Sequence, residues 1–409
     1  MPIRRLLAAC FLFLVAACAT QPEAPPAPGL VVLVSIDGFR PDYLQRGVTP
    51  TLSKLAEEGV RAESMRPSFP SLTFPNHYTI VTGLRPDRHG IVNNAMEDPA
   101  HPGVTFTLSN RAVNSQPHWW NDAAPIWVSA EQQGVRTGTM FWPGSEVEIR
   151  GVRPHDWVVF DQTMPSAARV DRALSWLDRP AAERPRFLTL YFDIVDTAGH
   201  LHGPDSAEAN AAVAEVDVSM KRFIDGLAAR GLAANANIIV SSDHGMAPVS
   251  TERMVDMDAI IASALVRYAW HPGPIAGLEP AAGQTMDVLE PVLGRHGHVE
   301  CWKKEALPAR FHFGTHRRAP PVVCLADTGW TLNSASRPRS YPVRGGAHGY
   351  DPEDPLMGAL FIAHGPAFKR GVVVPAFDNV HVYPQLADLL GVKPEANDGD
   401  LAVLAPARR

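Results

Sequence analysis

Two apolar runs in the sequence each end in side chains that can bind a metal. Residues 30–36 are hydrophobic apart from Ser35, and Asp37 follows them directly. Residues 237–241 form a second run, and Asp243 and His244 lie just beyond it. Continuous apolar runs of this length are typical of parallel strands buried on both faces. Because open α/β sheets bind ligands beyond the carboxyl ends of their strands, the runs predict a site that contains these side chains.

Strands and helices alternate along most of the chain. Further strands are predicted at residues 136–142, 187–192 and 358–363, and helices at residues 51–59, 206–230 and 380–390. The first of these helices is expected to be capped by Thr49 or Thr51. The alternation predicts an α/β fold with a mainly parallel central sheet and helices on both of its faces.

The catalytic domain is expected to span residues 30–409. Within it, residues 246–342 are rich in Pro and His and are expected to form a smaller, irregular inserted or capping region. The chain has 409 residues, of which 45% are hydrophobic, so a packed core is expected. Its net charge of −6 and the lack of a long basic run disfavour binding to nucleic-acid polymers.

The first 29 residues predict export. Arg4 and Arg5 precede an apolar stretch, residues 6–17, that is too short to span a bilayer comfortably. Residues 1–18 therefore read as a signal peptide that ends in a lipobox-like Val-Ala-Ala-Cys, with Cys18 as the lipidated residue. An ordinary signal peptide with an incidental cysteine is the alternative. Residues 19–29 predict a Pro/Ala-rich tether, so we expect a periplasmic lipoprotein that touches the membrane only through its lipid anchor.

Two of the four cysteines lie outside the export segment, namely Cys301 and Cys324. An oxidising periplasm would allow them to form a disulfide, which we favour. The alternative is a pair of separate buried thiols.

Five segments carry side chains suited to phosphoryl chemistry on metals: residues 36–38, 71–77, 196–200, 242–245 and 345–351. Zinc binds His nitrogen and carboxylate oxygen, and two zinc ions can clamp a phosphoryl group between them. Three histidines and three aspartates, together with the Thr73 oxygen, provide enough ligands for two Zn²⁺ ions: Asp37, Asp196, His200, Asp243, His244 and His348.

Thr73 is the candidate nucleophile. It precedes Phe74 and Pro75, and proline favours the first turn of a helix. Thr73 would then lie at a helix N-terminus, where free N–H groups favour an anion. Coordination to a metal would activate its hydroxyl without a neighbouring base.

Each of these features has a simpler interpretation when taken alone. An Asp-Gly pair after a strand is often a turn, and a lone Thr before Phe-Pro is often a helix cap. A single histidine such as His348 could be structural. Their joint occurrence at strand ends is much harder to explain by chance.

The motifs resemble those of the nucleotide pyrophosphatase/phosphodiesterase family of the alkaline phosphatase superfamily, and a bacterial exported member in particular. The likeness extends over about residues 30–400 through these segments: 73–78, 81–84, 89–94, 141–145, 147–149, 196–204, 242–246, 348–351, 389–394 and 397–399. It implies an alkaline-phosphatase-like fold. It also implies that Asp37, Thr73, Asp243 and His244 bind one zinc and that Asp196, His200 and His348 bind the other.

The resemblance assigns roles around the phosphate as well. Asn94 matches the asparagine that holds a non-bridging phosphate oxygen together with the Thr73 N–H. Phe74 and Leu108 resemble one wall of a nucleobase slot. Phe160 stands where the facing aromatic residue is often Tyr, and stacking needs only an aromatic face. The alternative for Phe160 is a core aromatic.

The expected function is a zinc-dependent phosphodiesterase or nucleotide pyrophosphatase that releases nucleoside 5′-monophosphates through a phospho-threonine intermediate. The substrate would be a small nucleotide or another phosphodiester. A phospholipid or choline-phosphate diesterase, or a phosphomonoesterase with the same metals, is the alternative. A non-catalytic binding lipoprotein is disfavoured by the complete ligand set. The sequence leaves the physiological substrate and the oligomeric state open.

Overall fold

The computed structural model describes residues 29–336 and 343–409. The predicted signal peptide with its lipobox Cys18, and residues 19–28 of the predicted tether, lie outside the described residues. Within those two described stretches, no helix is both long and apolar enough to cross a membrane.

An eight-stranded sheet forms the centre of the structure. Its strands lie in the order Val372–Val374, Val60–Ala62, Phe361–His364, Ala236–Ser241, Leu30–Ile36, Phe187–Phe192, Thr137–Met140 and Asp156–Trp157. The strand Phe361–His364 is antiparallel to both of its neighbours, and every other adjacent pair is parallel. The predicted mainly parallel sheet is therefore confirmed.

Helices cover both faces of this sheet, as predicted. Val32 and Val34 of the strand Leu30–Ile36 belong to one hydrophobic cluster, whereas Val31 and Leu33 belong to the other. Successive side chains of a strand point to opposite faces, so each cluster is covered by its own helices. The first face carries Pro50–Glu58, Ser166–Trp176 and Ala207–Ala229, and the second carries Thr73–Thr82, Ile126–Gln132 and Val382–Leu390. The remaining α-helices of the described residues are Pro86–His89, Arg111–Asn114 and Ile194–His202.

The first helix, Pro50–Glu58, is capped differently from the prediction. Thr49 is its N-cap residue, but its side chain makes no capping hydrogen bond. The N–H groups of Thr51 and Leu52 instead donate to the carboxylate of Asp217, at 3.0 and 2.8 Å. Asp217 lies on the long helix Ala207–Ala229, so a tertiary contact supplies the acceptor that the sequence suggested would be local.

The inserted region is more regular than its composition indicates. It contains an antiparallel five-stranded sheet in the order Val266–Trp270, Ile275–Pro280, Val322–Ala326, Val299–Lys303 and Gly294–His296. Pro280 ends a strand and Pro321 immediately precedes one, so neither interrupts the hydrogen bonds within the sheet. Cys301 and Cys324 face each other on adjacent strands and form a disulfide.

Four short strand pairs complete the β-structure of the described residues. They are Ala247–Pro248 with Gly346–Ala347, Met254–Asp256 with Thr331–Asn333, Met65–Arg66 with Phe377–Asp378, and Ala95–Glu97 with Thr105–Thr107. The first pair carries the chain back from the inserted region to His348.

Candidate active site

The six predicted metal ligands meet beyond the carboxyl ends of the central strands. Asp37 follows the strand Leu30–Ile36, and Asp243 and His244 follow Ala236–Ser241. The backbone turns at Gly38, which has φ of 69° and donates its N–H to Asp243 Oδ1 at 3.2 Å. A Cβ at this position would lie 3.2 Å from the Asp196 backbone, so glycine allows the two elements to approach.

One group of ligand atoms surrounds the nucleophile candidate. His244 Nε2 lies 2.9 Å from Asp243 Oδ2, 3.6 Å from Asp37 Oδ1 and 3.3 Å from Thr73 Oγ1. The ligand atoms of Asp37, Asp243 and His244 all lie within 4.8 Å of one another. One cation can therefore contact all four side chains.

A second group forms a compact triangle. Asp196 Oδ1 lies 3.4 Å from His200 Nε2 and 3.6 Å from His348 Nε2, and the two histidine nitrogens are 3.1 Å apart. Tetrahedral zinc with bonds of about 2.0–2.1 Å places its ligand atoms roughly 3.4 Å apart. The triangle therefore fits the size of a zinc site.

The orientation of the histidines also fits a metal. Nδ1 of His200 lies 2.9 Å from the Gly346 carbonyl, and Nδ1 of His348 lies 2.9 Å from the Ser71 carbonyl. A carbonyl can only accept, so each Nδ1 carries the proton and each Nε2 presents a lone pair. When both rings are neutral, two lone pairs face each other across 3.1 Å, and a cation between them would bind both nitrogens.

Two buried carboxylate oxygens of this site have no hydrogen-bond donor in the part of the chain that the structure describes. Among the described residues, no group donates a hydrogen bond to Asp37 Oδ1 or Asp196 Oδ1, and both atoms are buried. Burial, reinforced by the nearby carboxylates of Asp243 and Asp196, raises the pKa of Asp37 well above its usual range. Burial lowers the pKa of His348 well below its usual range, and the neighbouring His244 and His200 lower it further. Bound cations would compensate the charge of the carboxylates. The neutral form of His348 is the form that coordinates a cation.

Thr73 is the first residue of the helix Thr73–Thr82, as the Phe-Pro sequence predicted, and it is buried. The N–H of Phe74 donates to Asn94 Oδ1 at 2.9 Å. This bond fixes the Asn94 amide with its NH₂ group turned away from Phe74. Asn94 was predicted to act with the Thr73 N–H, and the structure adds Phe74 as the group that orients it.

Two residues of the site carried no predicted role. His77 lies one turn after Thr73, with Nδ1 2.9 Å from the Thr73 carbonyl and 3.3 Å from Asp243 Oδ2. Tyr191 donates its hydroxyl to Asp37 Oδ2 at 2.6 Å. The spacing of four residues from Thr73 could have indicated His77. Tyr191 lies within a fully buried strand, where its hydroxyl requires a polar partner.

The predicted nucleobase slot lies at the protein surface. Phe74 packs against Phe106 and Trp120, with ring centroids 6.0 Å apart in both cases. Leu108 and Phe160 are 43% and 37% exposed. The Phe160 ring also packs on the buried rings of Phe141 and Tyr191, with centroids 5.1 and 6.0 Å away, so it lies at the edge of the core.

A polar bridge holds Phe160 in position. Arg111 donates to the Phe160 carbonyl at 2.9 Å and to Glu146, and Glu146 accepts the Phe160 N–H at 2.5 Å. Arg111 begins the helix Arg111–Asn114, and Asn114 donates to the Leu108 carbonyl at 2.9 Å. The backbones of Leu108 and Phe160 are thus tied through one helix.

The chain matches known proteins over most of its length. A family model described as type I phosphodiesterase / nucleotide pyrophosphatase matches residues 31–351. An uncharacterised pyrophosphatase/phosphodiesterase of Schizosaccharomyces pombe is 40% identical over 395 residues, which cover 93% of this chain and 80% of that protein. Ectonucleotide pyrophosphatase/phosphodiesterase family member 1 of Mus musculus is 38% identical over 398 residues, and the match spans 93% of this chain but 42% of that protein.

A solved structure matches as well. It is murine ectonucleotide pyrophosphatase/phosphodiesterase 5, an inactive threonine-to-alanine variant in complex with AMP. Its sequence is 31% identical and its TM-score is 0.87, with 93% of this chain and 100% of that chain covered. Motifs, fold and ligand geometry agree with these matches, and the chain therefore belongs to the metal-dependent nucleotide pyrophosphatase/phosphodiesterase family, whose members hydrolyse phosphoric ester bonds.

Proposed function

We propose that this chain is a two-zinc phosphodiesterase and nucleotide pyrophosphatase that releases nucleoside 5′-monophosphates through a covalent intermediate on Thr73. The observation that carries the proposal is the 3.3 Å distance between Thr73 Oγ1 and His244 Nε2, beside the two groups of converging ligand atoms described above. The threonine-to-alanine variant described as inactive in the similar mouse protein supports the same role for a threonine.

The ligand atoms divide into two sites. Asp37, Asp243 and His244, with Thr73, would hold one zinc, and Asp196, His200 and His348 would hold the other. Nitrogen and carboxylate ligands in tetrahedral spacing favour zinc over magnesium, which prefers octahedral oxygen. Bound zinc ions would supply Lewis acidity to the phosphoryl oxygens and would favour the deprotonated hydroxyl and water.

Thr73 Oγ1 attacks phosphorus, and the bond from phosphorus to the leaving oxygen breaks. The product of this step is a nucleotidyl-threonine in which the nucleoside 5′-phosphoryl group is bonded to Oγ1. Water then attacks phosphorus, the bond to Oγ1 breaks, and the 5′-monophosphate leaves. The Thr73 N–H at the helix start and the Asn94 NH₂ group hold the non-bridging oxygen in both steps.

The nucleobase would lie between Phe74 and Phe160. Stacking on aromatic side chains tolerates any base, so this slot gives a preference for nucleotides without choosing among them. The AMP bound to the similar mouse protein supports a nucleotide as the substrate.

Comparison of three substrates tests this proposal. With zinc-loaded enzyme, we expect kcat/KM to be highest for the p-nitrophenyl ester of thymidine 5′-monophosphate. A choline-phosphate diester and p-nitrophenyl phosphate should be poorer substrates. Phe160→Ala should lower kcat/KM for the nucleotide ester selectively, whereas Phe160→Tyr should retain it. A higher kcat/KM for the choline diester or the monoester would contradict the nucleotide assignment.

We also propose that the protein is a periplasmic lipoprotein anchored through Cys18. The support is the Val-Ala-Ala-Cys sequence at the end of the apolar segment. Cys18→Ser should move the protein from the membrane fraction to the soluble fraction without changing its specific activity. Retention of the variant in the membrane fraction would contradict a lipid anchor at this residue.

A further inference from the structure

A short loop of the inserted region, residues 314–318, is bound by two carboxylates of the catalytic domain. Asp87 accepts the N–H groups of Gly314, Thr315 and His316 at 2.8–3.0 Å. Asp98 accepts hydrogen bonds from Arg317 and Arg318. We call residues 314–318 the docking loop.

Arg318 is the buried end of the docking loop, with a side chain that is 0% exposed. Its guanidinium donates to Asp98 Oδ2 at 2.7 Å, to the Gly90 carbonyl at 2.7 Å, and to the carbonyls of Trp119 and His118 at 2.9 Å each. Removing a guanidinium from water is costly unless its donors are satisfied, and here one carboxylate and three carbonyls satisfy them.

Two hydrogen-bond partners of Arg318, Gly90 and Asp98, lie on either side of Asn94 in the sequence. Gly90 comes four residues before Asn94 and Asp98 comes four residues after it. One guanidinium therefore holds both ends of the segment that carries Asn94. At Gly90, a Cβ would lie 2.9 Å from Arg318 Nη1 and φ is +79°, so the close approach depends on glycine.

The same network supports the residue that orients Asn94. Arg318 binds the Trp119 carbonyl and lies over the Trp119 ring at 4.9 Å. The adjacent Trp120 packs against Phe74, whose N–H binds Asn94 Oδ1. Arg318 thus binds both ends of the Asn94 segment directly and supports Phe74 indirectly, through Trp119 and the adjacent Trp120.

The contact with Asp98 is strong. Burial opposes ionisation, but the hydrogen bonds from Arg317, Ala100 N–H and Arg318 hold the pKa of Asp98 well below its usual range. The carboxylate is therefore charged at neutral pH. A buried and satisfied charge pair keeps one geometry, and donors aimed at developing charge must not move during the reaction.

We propose that Arg318 is a positioning residue for hydrolysis at Thr73, because it fixes the Gly90–Asp98 segment and thereby the Asn94 amide that faces the phosphoryl group. The inserted region contributes to catalysis through this residue. The inference rests on the proposed function, since that function gives Asn94 its role.

A double-mutant cycle between Arg318→Lys and Asn94→Ala tests the inference with the nucleotide ester as substrate. We expect Arg318→Lys to lower kcat at least tenfold. Asn94→Ala should lower kcat by about 10²–10³-fold. The double variant should be no slower than Asn94→Ala alone, because a positioning residue acts only through the group that it positions. Multiplicative losses, or an unchanged kcat in Arg318→Lys, would overturn the inference.

Arg267→Gln is the matched control. Arg267 is also an arginine of the inserted region that binds the Asn94 segment, through Glu97 at 2.8 Å, but it is 44% exposed. Exposed ion pairs contribute little, so kcat should change less than twofold. A loss as large as that in Arg318→Lys would mean that any contact to this segment has the same effect, and would overturn the specific role of Arg318.

A second readout does not depend on activity. Hydrogen exchange followed by mass spectrometry should show faster exchange in residues 90–98 of Arg318→Lys, with unchanged exchange in the strand Ala236–Ser241. If Arg318→Lys does not fold, Asp98→Asn keeps the side-chain volume and carries the same prediction. Equal exchange in residues 90–98 would overturn the inference. Normal activity of Asn94→Ala would instead contradict the role of Asn94 within the proposed function.

Discussion

At the scale of single residues, the site is built from side chains whose orientation is fixed by partners outside it. The Nδ1 atoms of His200 and His348 face backbone carbonyls, so both Nε2 lone pairs point at one space. Asp37 has one oxygen bound by Tyr191, whereas its other oxygen faces the site. Such outer partners set the affinity of a metal site as much as the ligands do.

Tyr191→Phe tests this effect. Loss of the 2.6 Å hydrogen bond to Asp37 Oδ2 should weaken zinc binding about 10–100-fold, the usual effect of removing a group that orients a ligand. Zinc affinity would be measured by competition with a chromogenic chelator. Tyr383→Phe is the control, because its hydroxyl accepts the Glu395 N–H and serves no metal ligand. Equal zinc affinities in Tyr191→Phe and the wild type would contradict the role of Tyr191.

The ligands could be predicted from the sequence because they belong to short motifs at strand ends. Tyr191 and Arg318 could not, since their partners Asp37 and Asp98 are 154 and 220 residues away. No local periodicity reports which buried polar groups meet across such distances. The role of Phe74 N–H in orienting Asn94 was missed for the same reason.

At the scale of elements, the helix Thr73–Thr82 is held from behind by the short helix Pro86–His89. His89 Nε2 lies 3.1 Å from the Pro75 carbonyl and 3.0 Å from Thr79 Oγ1, and its Nδ1 accepts the Ile91 N–H at 3.1 Å. The neutral ring donates from Nε2 and accepts at Nδ1, so both ring nitrogens have a hydrogen-bond partner. Burial lowers the pKa of His89 to about 3, although the bond to the Pro75 carbonyl opposes this shift.

The lowered pKa of His89 therefore predicts that the folded protein loses stability in mild acid. The unfolded chain binds a proton below about pH 6.5, whereas the folded chain does not until about pH 3, so the stability falls as the pH falls between these values. From pH 7.5 to pH 5.5 this residue should cost about 1.4 kcal/mol of the free energy of unfolding.

Urea unfolding of zinc-loaded protein at the two pH values measures this effect. His89→Gln should lose about 1.4 kcal/mol less than the wild type between them, because glutamine has no such proton to bind. His155→Gln, at an exposed histidine, should behave as the wild type does. An equal pH dependence in His89→Gln and the wild type would contradict the assignment.

The sequence predicted the boundaries of those elements whose buried residues form a continuous or periodic apolar pattern. The strand Phe187–Phe192 has its predicted limits, and the long helix Ala207–Ala229 differs by one residue at each end. The five-stranded sheet of the inserted region was missed, although two of its pairings are local hairpins, because prolines and polar residues interrupt the apolar pattern of this region. These prolines resemble those of irregular loops until the pairing is known.

At the scale of the whole molecule, the second candidate metal site lies beside the connection between the central sheet and the inserted region. His348 follows a short strand, Gly346–Ala347, that pairs with Ala247–Pro248 at the start of that region. The second ligand triangle therefore lies where the chain returns from the insert to the central sheet. Without cations, the molecule retains buried carboxylates and facing lone pairs at this junction.

Removal of zinc should thus lower the Tm as well as abolish activity. A ligand at 100 times its Kd stabilises the folded state by about 2.7 kcal/mol, so chelation and dialysis should give a measurable fall in Tm that added zinc reverses. Thr73→Ala keeps all six Asp and His ligands, so its Tm should also fall on chelation, although we expect the variant to be inactive. Full activity and an unchanged Tm after exhaustive chelation would contradict the metal assignment.

Acid quench of zinc-loaded enzyme mixed with a nucleotide diester, followed by peptide mass spectrometry, tests for the proposed nucleotidyl-threonine on Thr73. We expect the mass of one nucleoside monophosphate on the peptide that contains Thr73 during turnover, and its loss when substrate is exhausted. Thr73→Ala should show neither the adduct nor turnover. An adduct on another residue, or a kcat/KM in Thr73→Ala equal to that of the wild type, would contradict the mechanism.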